Sequence, residues 1–184
     1  MKKMMSLLLM MICVLSLAAC GSRKEEQTEE NVETPVNVDL AEVHQAVKDA
    51  YGETYYPNMP FDATMLADTI GLTEGMYEEF IAEGPMMSAN IDMFIAVKAA
   101  EGQADAVEET LNAYRDYQIN EAFQYPTNKV KVQASQVIRH GDYVFYVMLG
   151  DIPMEVQEQG DEAILNKAKE VVQVGVDTIN GFFE

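Results

Sequence analysis

Few side chains in this sequence carry ready-made chemistry. Cys20 ends an apolar run, directly after Leu17, Ala18 and Ala19, and its thiol is the one group among those four residues able to form a stable thioether. His44 and His140 are the two imidazoles. They lie far apart, outside any HExxH-type or Ser/His/Asp-like spacing. One sits beside an apolar helical stripe and the other abuts a turn, so both read as structural. Carboxylate pairs recur at Glu78-Glu79, Glu108-Glu109 and Asp161-Glu162, as abundance alone produces in a chain with 31 acidic residues. A glycosidase needs two carboxylates facing each other across about 5–10 Å of cleft, and adjacency does not supply that. The segments AEGP, GLTEG and GDY read as turns rather than phosphate loops. Neither a G-x-S-x-G elbow nor a D-x-[DN]-x-[DN]-G calcium loop occurs. The Met86-Met87 pair could offer thioethers to Cu(I), but Met76, Met93 and Met148 fall in expected strands, and the methionines read as packing residues. No catalytic residue, metal or cofactor is assigned.

The segment from Glu53 to Phe61 is the most suggestive surface. Pro57 and Pro60 keep it out of helix and central strand. Tyr55, Tyr56 and Phe61 gather large rings on this stiffened loop, a tentative ligand loop suited to stacking a sugar or a peptide. The same residues could instead fold back as a lid over the core.

Lys2 and Lys3 precede an apolar stretch from Ser6 to Leu17, too short for a spanning helix of ~20 residues and shaped like a secretory signal. Leu17-Ala18-Ala19-Cys20 resembles the lipobox of bacterial lipoproteins. Small Ala18 and Ala19 would let an extended backbone enter a peptidase groove. The resemblance implies cleavage before Cys20, a signal peptide at residues 1–19, and a diacylglyceryl (palmitate-type) thioether on Cys20. At ~0.8 kcal/mol per buried methylene, two acyl chains anchor durably where one does not. The expected location is the extracytoplasmic face of the cell membrane, with the membrane itself as a partner through the lipid.

Loss of that segment would leave 165 of the 184 residues, enough for one domain with a real core. The formal charge would move from −19 to −21 as Lys2 and Lys3 leave. Such acidity argues against nucleic acid and against broad docking on anionic lipid, and suits cationic partners or simple solubility. Cys13 would leave with the signal and Cys20 would carry lipid, so no disulfide or thiolate metal site is expected. Residues 20–37, rich in Glu and Thr and free of aromatics, read as a solvated acidic tether after the lipidated cysteine.

From residue 38 the periodicities of one domain begin. Asp39 and Glu42 suggest a capping box before a helix with Leu40, Val43, Val47 and Tyr51 on one face, stopped by Gly52. Asp62 should cap a short helix ending at Gly71. Met76–Ala82 alternates as a strand, with Met76, Glu78, Phe80 and Ala82 on one face. Ile91–Lys98 (IDMFIAVK), apolar on both faces from Met93 to Val97, reads as a central strand. Ala104 to Gln118 spaces as an amphipathic helix. Val130 and Val132 alternate with Lys129 and Lys131 as a strand with one wet face. Val137-Ile138 and Tyr143–Leu149 form a hairpin about His140-Gly141-Asp142. Asp161 should cap a final helix with Leu165, Ala168, Val172, Val176 and Ile179 in line, weakened by Gly175. The fold class is α+β: an antiparallel sheet of about four strands packed against helices, filling residues 38–184.

Ile91–Lys98 running into Ala99-Ala100-Glu101-Gly102, the helix to Tyr117, Phe123-Gln124-Tyr125-Pro126 and Gly141-Asp142-Tyr143-Val144 together resemble a family of bacterial lipoproteins known as a domain of unknown function. That resemblance spans about residues 40–150 and carries no catalytic residue with it. The expectation is a membrane-anchored binding or accessory module of the cell envelope, recognising a protein or small molecule. The alternatives are an envelope hydrolase using acidic residues, or an assembly partner docking through an acidic face.

Overall fold

Asp39 opens the first element of the computed structural model, which describes residues 37–87 and 89–184. The expected signal segment, Cys20 and the tether through residue 36 lie outside the described residues. The Asp39 carboxylate accepts the Ala41 N–H at 2.8 Å and caps α1 (Leu40–Tyr51), whose Leu40, Val43, Val47 and Tyr51 are buried as their spacing predicts. Glu42 stays exposed, so Asp39 caps without a reciprocal box. After Gly52 the proline-bearing loop contributes only a two-residue edge strand, β1 (Met59–Pro60). Asp62 then caps α2 (Ala63–Ile70) by accepting the Met65 N–H at 2.8 Å.

β2 (Tyr77–Gly84) begins one residue later and ends two residues further on than the alternation suggested. Its register slips between Tyr77 and Glu79, and such a bulge breaks strict alternation of faces. β3 (Met93–Ala99) is followed by α3 (Ala104–Asn120), and the hairpin of β4 (Gln136–His140) and β5 (Tyr143–Met148) turns at Gly141-Asp142. The sheet order is β1-β2-β3-β5-β4, antiparallel throughout. The central place of β3 accounts for its apolar run; β1 is the strand beyond the expected four.

The expected strand at Val130 and Val132 is a helix instead. Pro126 suits the first position of a helix, where its fixed φ helps and its missing N–H costs nothing. α4 (Pro126–Lys131) therefore forms and tightens into a 3₁₀ turn over Val132–Ala134. Lys131, expected on a wet face, is buried with Val130 and Val132.

Two helical layers enclose the sheet. On one face Phe94 of β3 stacks on His44 of α1, and Phe145 of β5 meets Phe183 just after the last helix. On the other, Tyr114 of α3 packs edge-on against Tyr146 and donates to the sulfur of Met93. Burial on both faces explains why β3 and β5 lack the polar alternation of a half-exposed antiparallel strand. A short α5 (Met154–Gln157) leads to α6 (Asp161–Asn180), which Gly160 rather than Asp161 precedes at the cap position. Gly175 does not weaken its last turns. A Cβ there would lie 3.0 Å from both the Tyr51 hydroxyl and Val147 Cγ1. Its N–H donates to the Tyr51 hydroxyl at 3.0 Å, and that hydroxyl donates to Val171 O at 2.6 Å. Glycine lets α6 seat directly on α1 and β5. Among the described residues the buried core runs from Val38 to Ile179, so a chain lacking residues 1–20 keeps every one of these core residues.

Candidate functional site

Two polar clusters are built into this frame. The first forms where the loop before β3 meets the end of α4. Asp92, at the head of β3, is wholly buried. One carboxylate oxygen accepts from Lys131 Nζ, and the other accepts the Gly150 N–H at 3.0 Å. Asn90 Oδ1 takes the Asp92 N–H at 2.7 Å and fixes the approach of the chain. Burial pushes the Asp92 carboxyl above its ordinary value, against the opposing pull of Lys131. Gly150 is required twice. Its φ is +102°, and a Cβ would fall 2.6 Å from Val171 Cβ, so both the turn and the bond to Asp92 depend on it.

Above this pair lies an open pocket of about 290 Å³. Tyr56, Met87, Ala89 and Asn90 line one part of it; Thr127, Asn128, Lys131, Asp151, Ile152 and Gln157 complete it. Asn128 spends its amide on Ala89 O at 2.8 Å, and Gln157 spends its own on Ile152 O at 2.6 Å. Those bonds tie α4 and α5 to neighbouring loops and leave both side-chain oxygens without a protein donor among the described residues. Tyr56 is 40% exposed at this pocket. Its phenol is held above its ordinary value by local burial, then by the negative charge of Asp151 and Asp92.

The second cluster pins the aromatic loop. Glu83 Oε2 receives Tyr55 Oη at 2.9 Å, lies 3.0 Å from His44 Nε2 and 3.6 Å from Lys48 Nζ. His44 Nε2 is also 3.1 Å from Tyr55 Oη, and its ring stacks on Phe94 at 5.3 Å. Burial, then Glu83, drives the Tyr55 phenol upward. The polar atoms meet around a single oxygen and clamp the aromatic loop to α1 and β2. His140 is separate: its Nε2 lies 2.8 Å from Asn180 Oδ1 and its ring stacks on Phe183. No group of three or more His, Cys, Asp or Glu side chains is placed to hold a metal ion among the described residues.

The aromatic loop is thus divided. Tyr55 enters the clamp, Phe61 packs on the core beside Gly84, and Tyr56 turns to the pocket. Met87 also reaches the pocket, while Met86 stays exposed outside its lining. Sequence reasoning missed Lys131, Asp151, Asn128 and Gln157. The available signal was Asp92, a lone charge heading an otherwise apolar central strand, which demands a buried partner. Cys20 lies outside the described residues.

No curated protein and no solved structure matches the chain. Residues 50–149 match a family described as a domain of unknown function, DUF4358. That segment carries β1 through β5 and most of the pocket, and it spans more than half of the sequence: the chain belongs to the DUF4358 family.

Proposed function

We propose that this protein is a binding module of the cell envelope, held at the outer face of the membrane by lipid on Cys20. The observation that carries the binding reading is the polar pocket over Asp92 and Lys131. It is open, lined by hydrogen-bonded amides and one aromatic ring, and includes Lys131, which the buried Asp92 holds from behind. Pre-positioned polar groups in a concavity are what small-ligand recognition requires. Binding is favoured over acid-catalysed hydrolysis because Asp92 has both oxygens committed to Lys131 and Gly150. That leaves Asp151 as the one carboxylate lining the pocket among the described residues, where hydrolysis by paired acids needs two.

Anchoring is supported by the Leu17-to-Cys20 motif. Membrane fractionation should find the intact protein with the membranes and the Cys20→Ala variant released from them; equal retention of both refutes the anchor. Binding is tested with residues 21–184, titrated with panels of amines, amino acids and simple sugars and followed by thermal shift. Members that stabilise the wild type should lose their effect in Thr127→Trp, which fills the pocket. Stabilisation that survives the substitution, or none from any panel, refutes the pocket as the site.

A further inference from the structure

Within that binding reading, we infer that the pocket takes a small organic cation, an alkylammonium or quaternary ammonium head held against Asp151 with the Tyr56 ring beside it. Three observations on the lining converge on this. Lys131 and Asp92 neutralise each other by direct contact, whereas Asp151 forms no ion pair among the described residues, so the pocket carries one uncompensated negative charge. Asn128 and Gln157 have turned their N–H₂ groups onto backbone carbonyls, so their side-chain oxygens are left free of donors among the described residues. Tyr56 adds a part-exposed ring, and a ring face attracts ammonium groups within about 6 Å. A carboxylate, an acceptor oxygen and an aromatic face together suit a ligand that is positive and partly apolar. An anion would find Lys131 as its one cation, whose charge Asp92 already holds, beside the neutral donors of Asn90, Thr127 and Tyr56. The volume of about 290 Å³ limits the ligand to a small molecule.

The probe is choline chloride at millimolar concentration in low salt, followed by amide chemical shifts of residues 21–184, which retain every core residue described above. Its neutral isostere 3,3-dimethylbutan-1-ol and the anion acetate serve as comparison probes. Choline should shift the amides of Tyr56, Asn90, Thr127 and Asp151. Its Kd should weaken about tenfold in Asp151→Asn and by roughly three- to tenfold in Tyr56→Ala. Salt raised from about 20 to about 200 mM should weaken it further, since exposed charges are then screened. Equal binding by the neutral isostere, or an unchanged Kd in Asp151→Asn, overturns the cation and leaves a binding pocket of another chemistry. Preference for acetate overturns it in favour of recognition by Lys131. Silence from choline alone, while other panel members still respond to Thr127→Trp, refutes this inference without touching the binding reading.

Discussion

Replacing Lys131 with methionine isolates the electrostatics of the pocket floor. Methionine keeps most of the lysine stem and its packing, so what disappears is the ammonium over a carboxylate with no exposed surface. Asp92 is then left with the Gly150 N–H alone. Breaking a buried pair from one side costs about 3–5 kcal/mol, because an uncompensated charge remains. Protonation offers Asp92 an escape. Neutralising an ordinary aspartate at pH 7 takes about three pH units at ~1.36 kcal/mol each, so the carboxylate's share of the penalty is capped near 4 kcal/mol. At pH 5 the same cap is about 1.5 kcal/mol. Urea unfolding of residues 21–184 should therefore show Lys131→Met destabilised by about 3–4 kcal/mol at pH 7 and by less than half of that at pH 5. The double variant Asp92→Asn with Lys131→Met should recover most of the loss, since removing both charges removes the orphan. A penalty under about 1 kcal/mol at pH 7, or one that does not shrink on acidification, would refute the reasoning.

Carbon-13 titration of the Asp92 carboxyl should give a midpoint above the ordinary ~3.9, because burial outweighs Lys131 there. The folded group then binds its proton more tightly than the unfolded one. Its contribution to stability is greatest below the unfolded value and declines as pH rises to the folded midpoint; a midpoint at or below 3.9 counts against this. Tyr55→Ala should cost about 2–4 kcal/mol by urea unfolding, since it strips a packed ring and a donor from the Glu83 clamp. Tyr56→Ala should stay within ~0.5 kcal/mol, and equal losses would mean that the loop acts as one lid. Gly175→Ala should lower stability by about 1–2 kcal/mol, although alanine gains ~1 kcal/mol in helix propensity. Tyr51, held by its own bond to Val171 O, cannot retreat from the added methyl; a stabilised variant would show that it can.

Much of the architecture was legible because local chemistry and tertiary demand agreed. Asp39, Asp62, Gly52 and Gly71 mark helix ends by groups that act within a few residues, and β3 and β5 announce their central place by unbroken apolar runs. Agreement failed at residues 129–132, where alternation of lysine and valine imitates a strand. The deciding facts were Pro126, three residues upstream, and a buried carboxylate 39 positions away in sequence that recruits Lys131 inward. Gly175 misled for a related reason: its value lies in Tyr51, 124 residues distant. The pocket was the least visible feature. It assembles from four separated segments, and among its lining residues only Tyr56 and Met87 stood out by type.

The seating of α6 on α1 has a consequence for how the chain is made and handled. Both helices covering one face of the sheet fall largely outside the segment matched by the family, one from the first turns of the domain and the other from its last. Until the final twenty-odd residues emerge, Phe145 lacks Phe183 and Val147 lacks α6, and the nascent chain cannot complete its core. A fragment cut at the family's borders would be an aggregation hazard rather than a minimal domain.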